Sequence, residues 1–267
     1  MVRDYVSRTI HSTKVIAEDS GEDAIPHYKW ADVVLSHLGT SGYAVNTCQR
    51  LGKPLVFIAH NSNRFGFIAR DKNIRVINNS EHLVKYDNPT TICRPMCVYV
   101  KGKYKGKYVT LINGNKNKGG EILRHIAHNM PDTMFQLVKG GYGKQILDQP
   151  KNVRIVEHGD IDEVLQRTKI LIMPSLVESW GRTAAEAISK DIPVVSTPTE
   201  GVKECLDYAC KYVQRDDLQG WIEAISTIGN NGLLSKLMDK RFYELKEQGD
   251  RDILTFDKTI EDASKSN

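Results

Sequence analysis

Long apolar runs are missing from this sequence. None reaches the roughly 18 residues that a membrane-spanning helix requires. The opening, MVRDYVSRTIH, is polar and mixed, and does not read as a signal peptide. Cysteine is scarce: Cys48, Cys93, Cys97, Cys205 and Cys210 are scattered, odd in number and without a paired metal spacing. That usage suits a reducing compartment, so a cytoplasmic location is expected. Cys93 and Cys97 lack partner ligands and read as buried free thiols. No internal repeat appears. The glycine turn at residues 139–143 is not followed by Gly-Lys-Ser/Thr, which excludes a Walker-type phosphate loop. No amphipathic basic helix marks a membrane surface. The net charge is only +4, a mild excess that fits an anionic ligand without establishing nucleic-acid binding. With 40% apolar and 26% charged residues, the 267-residue chain reads as one large or two small globular domains.

The informative stretch is residues 170–204, ILIMPSLVESWGRTAAEAISKDIPVVSTPTEGVKE. The apolar run Ile170 to Met173 stops at Pro174 and Ser175, as a short buried strand does. A loop carries Glu178, Trp180 and Gly181. Residues 182–190 suit a helix whose alanines pack on a sheet, and Pro193 to Ser196 reads as the next strand. Strand, loop, helix and strand make one βαβ unit of a parallel sheet. Ligands of such sheets bind at the carboxyl ends of the strands, where helix N-termini present backbone N–H groups. Glu178, Gly181, Arg182 and Thr183 fall at that edge. Carboxylates there can accept hydrogen bonds from sugar or ribose hydroxyls, and Gly181 lets the backbone approach a phosphate. On spacing alone, Glu178 could equally be a helix-start residue and Glu186 a solvated helix face.

The same stretch closely resembles the signature of retaining nucleotide-sugar glycosyltransferases of the GT-B fold, the family 4 (group 1) type. The matching parts are Pro174-Ser175, Glu178, Trp180-Gly181, a second glutamate at Glu186 followed by Ala187, Pro193-Val194-Val195, and Gly201 with Glu204. The resemblance extends back to about Ala31. It implies an α/β chain with two Rossmann-like, doubly wound domains facing a cleft. The domains are expected at residues 1–105, acceptor side and shortened by about one βα unit, and at residues 106–252, donor side. Residues 253–267 would pack back on the first domain.

Along the chain, residues 31–36, 54–60, 74–78 and 91–95 read as strands, with helices at 43–52, 65–71 and 80–85. Residues 2–16 read as a helix followed by a short strand. Residues 98–108, VYVKGKYKGKY, are a solvated hairpin or linker, or else a Lys/Tyr ridge suited to a polyanion such as DNA. The second domain opens with a strand at 109–113. The loop Gly114 to Gly120 (GNKNKGG) is either a phosphate cradle or a solvated turn. Strands follow at 134–138 and 153–157, then a helix at 162–168. Further helices are expected at 218–228, 233–246 and 253–260.

By resemblance, Lys118 matches a Lys-Gly pair whose lysine contacts the donor's diphosphate. Many relatives place an arginine where this chain has Asn113. Glu186 would bind the ribose and Glu178 the transferred sugar. The backbone of Trp180 to Thr183 would stabilise the diphosphate. Gly114, Gly141, Tyr142, His158, Ser179 and Arg182 complete the implied donor site. His60 would lie near the donor sugar, with Asn61 and Arg64 on the acceptor side. The implied catalytic set is His60, Glu178 and Lys118. The implied activity is a retaining, nucleotide-sugar-dependent hexosyl transfer with no cofactor and no metal, because lysine and helix N-termini supply positive potential. The acceptor could be a hydroxymethylated DNA base or a saccharide, and a homo-oligomer is allowed. The alternatives are a non-catalytic nucleotide-sugar-binding module with a degenerate acceptor half and, more weakly, an epimerase of the same overall fold.

Overall fold

The structure is a computed structural model. It describes residues 12–13, 24–37, 41–61, 71, 73–84, 90–95, 100–229 and 232–265. The expectations for residues 2–16, the helix at 65–71 and the position of Arg64 fall outside the described residues, apart from short coil at residues 12–13 and 71. The chain forms two compact units, residues 1–96 with 247–267, and residues 97–246.

The first unit carries a four-stranded parallel sheet in the order β1-β2-β3-β4. Its strands are β1 (Val34–His37), β2 (Leu55–Ala59), β3 (Ile74–Asn78) and β4 (Thr90–Ile92). Helix α1 (Ile25–Trp30) precedes β1 and α2 (Ser41–Leu51) links β1 to β2. Every residue of β2 is buried, because both faces of the sheet are covered. Leu55, Phe57 and Ala59 pack with Ala44, Val45 and Cys48 of α2. The alternate residues Val56 and Ile58 pack on the other face with Ile77, Cys93, Phe256 and Ala263. A two-residue period explains this: successive side chains of a strand leave on opposite faces. The helix expected at 80–85 is only a 3₁₀ turn, Glu81–Leu83.

The second unit carries a six-stranded sheet in the order β10-β9-β8-β5-β6-β7, all parallel. Its strands are β5 (Tyr108–Ile112), β6 (Phe135–Val138), β7 (Val153–Val156), β8 (Thr168–Met173), β9 (Val194–Ser196) and β10 (Lys211–Tyr212). The helices between them are α3 (Gly120–Asn129), α4 (Ile161–Gln166), α5 (Arg182–Ser189) and α6 (Glu200–Leu206). Helix α7 (Leu218–Ile228) follows β10. The strand order reverses between β5 and β8, the switch point of a parallel sheet at whose carboxyl ends ligands bind. Buried Leu111, Leu137, Leu171, Ile172 and Val195 form the sheet's core with Leu123, Ile126, Ala184 and Ile188 of the flanking helices.

Three expectations change here. Residues 200–206, outside the helices expected from the sequence, form α6, capped by Thr199, whose side chain accepts from Val202 N. The stretch before β5 is not a free linker. Gly102 N donates to Ser189 O (2.9 Å), Tyr104 N to Lys190 O (3.0 Å) and Lys107 N to Arg167 O (3.0 Å). Its side chains are engaged too. Lys101 pairs with Asp239, Lys103 with Asp191 at 3.3 Å, and the Tyr104 hydroxyl donates to Asp162. Two of the four lysines at residues 100–107 are thus paired with carboxylates of the second unit.

The third change is at the C-terminal end. The break expected between residues 246 and 253 is absent, and one helix, α8, runs through Gly232–Ser264. Its buried positions, Leu234, Met238, Phe242, Leu245, Asp252, Phe256, Thr259 and Ala263, keep a spacing of three or four residues apart from one step over Gly249, itself buried. A glycine in a helix interior costs about 1 kcal/mol, and the continuous stripe outweighs it. The first part of α8 packs on the core of the second unit, through Leu234, Met238 and Leu245. Its last part completes the first unit's core through Phe256 and Ala263.

Candidate active site

The loops leaving β5 and β8 meet at the strand reversal. After β5 the chain turns through Asn113, which takes a left-handed conformation (φ 68°) and is buried. A 3₁₀ turn, Lys116–Lys118, follows, with Asn115 as its cap: the Asn115 side chain accepts from Lys118 N at 2.9 Å. Gly119 then enters α3 at φ 94°, and a Cβ there would lie 2.4 Å from Pro174 Cγ. The two loops are thus in van der Waals contact, and only glycine permits the approach. Leu176 N donates to Asn117 O (2.7 Å), a second tie between them.

Lys118 and Glu178 close the junction. Lys118 Nζ bonds Glu178 Oε1, and Ser175 Oγ donates to the same oxygen at 2.7 Å. Both side chains are largely shielded, at 19% and 13% exposed, so their attraction is less screened than that of a surface pair. Three residues after Glu178, Gly181 (φ 97°) opens α5 as its N-cap, without a capping side chain. The first backbone N–H groups of α5 lie at the edge of the sheet where anions are favoured. Gly201 packs against this loop: a Cβ there would lie 2.4 Å from Glu178 O. Arg182 Nε donates to Glu186 Oε1 at 2.8 Å, one turn into α5. The structure therefore brings Lys118, Glu178, Gly181, Arg182, Thr183 and Glu186 to one edge.

The remaining implied residues are placed less uniformly. Ser179 is half-buried beside Glu178. The Trp180 side chain is buried in the core, and its Nε1 has no hydrogen-bond partner among the described residues. Only its backbone is at the edge. Gly114 is closed on both sides, its N–H donating to Gln145 Oε1 and its carbonyl accepting from Ile146 N. Gly141 and Tyr142 lie on an exposed turn, Tyr142 at 64%. His158 is exposed after β7.

In the first unit, His60 follows β2 and stacks edge-to-face on His37, at the end of β1, with ring centroids 5.2 Å apart. Burial, reinforced by the neighbouring His37, pushes the His60 imidazole down to about 4. The ring is thus neutral at physiological pH, with its Nδ1 buried. Asn61 follows it, half-buried.

Two residues, Gln145 and Arg215, were missed in the sequence, and the contact of a third, Ser175, with Glu178 was not foreseen. Gln145 is a hub: its Oε1 accepts from Gly114 N and Gly140 N, and its Nε2 donates to Asn113 Oδ1 at 2.8 Å and Gly143 O at 2.9 Å. It fixes the glycine turn against the loop after β5. Ser175, in the Pro-Ser pair before Glu178, was legible as part of that pattern. Arg215, after β10, reaches both loops and left no local signal. Two aspartate pairs are spaced by one residue, Asp160 with Asp162 and Asp250 with Asp252. Asp160 caps α4, Asp162 is held by Tyr104, and Asp252 accepts from Arg94 N at 2.9 Å. Asp217 caps α7. Among the described residues, no group of three His, Cys, Asp or Glu side chains converges as a metal set.

Residues 112–231, a little under half of the chain, match the family model described as glycosyl transferases group 1. No curated protein sequence matches the chain significantly. Solved structures do. HepE from Anabaena, in complex with UDP-glucose, is 15% identical with a TM-score of 0.74, over 91% of this chain and 81% of that one. Sucrose-phosphate synthase from Thermosynechococcus elongatus is 13% identical with a TM-score of 0.71, over 95% and 81%. TarM from S. aureus, in a complex containing UDP, is 14% identical with a TM-score of 0.70, over 89% of this chain but only 58% of TarM. The chain thus spans little more than half the length of TarM. It has the GT-B fold of these glycosyltransferases, with two Rossmann-like units, and its residues 112–231 match the group 1 glycosyl transferase family.

Proposed function

We propose that the chain is a retaining glycosyltransferase that moves a hexose from a nucleotide-diphosphate sugar to an acceptor hydroxyl, without a metal, in the cytoplasm. The observation that carries this reading is the Lys118–Glu178 junction at the strand reversal, beside the Gly181-opened start of α5. HepE and TarM, of the same fold, are described in complexes with UDP-glucose and UDP.

In this reading the anomeric C–O bond breaks and its electron pair goes to the departing diphosphate. The sugar passes through a cation-like state before the acceptor hydroxyl bonds to its anomeric carbon and loses a proton. The charge to be stabilised is on the leaving group, and preorganised donors do this best in a shielded site. Lys118 and the first N–H groups of α5 supply them. A carboxylate on each side of α5's first turn divides the donor's hydroxyls: Glu178 takes the sugar, Glu186 the ribose. His60, neutral at physiological pH, offers a hydrogen bond rather than a charge to the sugar or acceptor. Asn61 adds a second polar group from the same strand end.

The test is a thermal-shift and hydrolysis screen against UDP-, GDP- and ADP-sugars, with and without EDTA. One donor should raise the melting temperature and release its nucleotide slowly, unaffected by EDTA. Glu186→Ala should weaken that donor roughly tenfold or more. Folded protein that no donor stabilises would refute the donor site. Donor binding without any transfer to saccharide, glycan or hydroxymethylated DNA acceptors would instead make the chain a binding module.

A further inference from the structure

The turn after β10 holds a cation that the donor-site reading above does not use. Gln214 O accepts from the indole Nε1 of Trp221 (3.1 Å) and from Asp217 N (3.1 Å). Trp221 is fully buried, so this turn is anchored to the core. From it the half-buried Arg215 side chain extends to both loops at the strand reversal. Its Nε donates to Pro174 O at 3.0 Å, and its Nη2 to Lys116 O at 2.8 Å. Pro174 ends β8 and Lys116 opens the turn that carries Lys118, so one planar guanidinium spans the strand reversal.

The charges around it are unequally matched. Lys118 is paired with Glu178, and Arg182 with Glu186. Arg215 bonds only carbonyl oxygens and meets no carboxylate among the described residues. A partly shielded guanidinium without an anion keeps its full charge in a poorly hydrated place, which is unfavourable until an anion arrives. A neutral donor could tie two carbonyls as well. The use of arginine here adds a fork geometry and a permanent positive charge.

We propose that Arg215 is a positioning residue for the diphosphate end of the donor. It clamps the Lys116–Lys118 turn to the loop at Pro174 and holds a positive charge at their junction. The inference rests on the donor-site reading, and adds a determinant from a third loop that contributes nothing to the nucleoside end. The affinity for a nucleoside diphosphate should therefore depend on Arg215, while that for the bare nucleoside should not.

The experiment compares wild type, Arg215→Gln and Arg215→Lys by calorimetry with UDP, GDP and ADP, and by competition NMR with uridine, guanosine and adenosine. Melting temperatures are recorded alongside. Arg215→Gln should weaken the preferred diphosphate roughly ten- to a hundredfold, as expected for a lost charge-assisted contact, and leave the nucleoside within about twofold. Arg215→Lys, which keeps the charge without the fork, should fall between, and carries the test if the glutamine variant does not fold. Unchanged diphosphate affinity would overturn the proposal. So would an equal loss for nucleoside and diphosphate, which marks a purely structural clamp. If wild type binds no diphosphate, the donor-site reading itself fails, an outcome separable from the others by the wild-type titration alone.

Discussion

The chemistry of His60 is altered by its place. A solvated imidazole titrates near 6.5. Burial, with His37 beside it, brings His60 down to about 4, and His37 itself is lowered in the same direction by burial. Between those limits the unfolded chain takes up a proton that the folded chain refuses. The stabilisation is therefore fully present above about pH 6.5 and is lost as pH falls towards 4, amounting to roughly 3 kcal/mol at the lower limit. Urea unfolding across that window should show the loss, and His60→Phe should flatten it. An NMR titration placing the His60 midpoint near 6.5 would sink the argument. At this scale the sequence showed the site unevenly. Glu178 and Glu186 were legible within one motif and Lys118 within a separate Lys-Gly pair, and the structure brings the three to one sheet edge. Arg215 was not, since its partners Lys116 and Pro174 are 99 and 41 residues away in the chain. Gln145 was hidden for the same reason: a glutamine in a loop carries no signal until the backbone groups it satisfies are in place.

Among the elements, the strap of residues 100–107 shows how a polar, glycine-interrupted stretch becomes structure. Composition gave it the look of a linker, yet it lies where the ends of α5 and α4 leave carbonyls to be satisfied, at Ser189, Lys190 and Arg167. Gly106 allows the closest approach: a Cβ there would sit 2.1 Å from the Arg167 carbonyl carbon. Gly106→Ala should therefore destabilise the protein by about 1–3 kcal/mol, seen as a lower melting temperature. Gly141→Ala, where an added Cβ meets nothing within 4 Å, should leave it nearly unchanged. Equal effects from the two would contradict the packing described. The strands and helices of the second unit were readable because each is a short apolar run or an alanine-rich amphipathic segment bounded by proline, glycine or aspartate. The two-residue β10 and the helix α6 were not. The first is too short to carry a period, and the second starts at Glu200-Gly201, a pair that resembles a turn.

For the whole molecule, α8 is the decisive element. Its final turns supply Phe256 and Ala263 to the first unit's core and Asp252 to Arg94, while its first turns belong to the second unit's core. A chain ending after Lys246 should lose protection in β2 and β3, measured by hydrogen exchange, because one face of that sheet would be bare. Removing the buried Phe256 side chain alone is expected to cost about 3–5 kcal/mol, a large share of the stability of a small domain. The second unit should melt much as before. Full protection of residues 55–59 in the shortened chain would contradict this account. The two-unit GT-B fold was legible in the alternation of strands and helices and in the motif at residues 170–204. That the last helix is unbroken was not, because Gly249 masks a stripe whose continuity depends on which residues are buried.

The same helix imposes an order on synthesis. As the chain leaves the ribosome, β1 to β4 emerge before the second unit, but the side chains that cover their second face are made after it. The N-terminal sheet must wait, half-clothed, through the making of some 150 residues, while the segment after it can gather its own core. The sheet of the first unit is thus made before the second unit and completed after it, an interval in which a nascent chain has need of chaperone shelter.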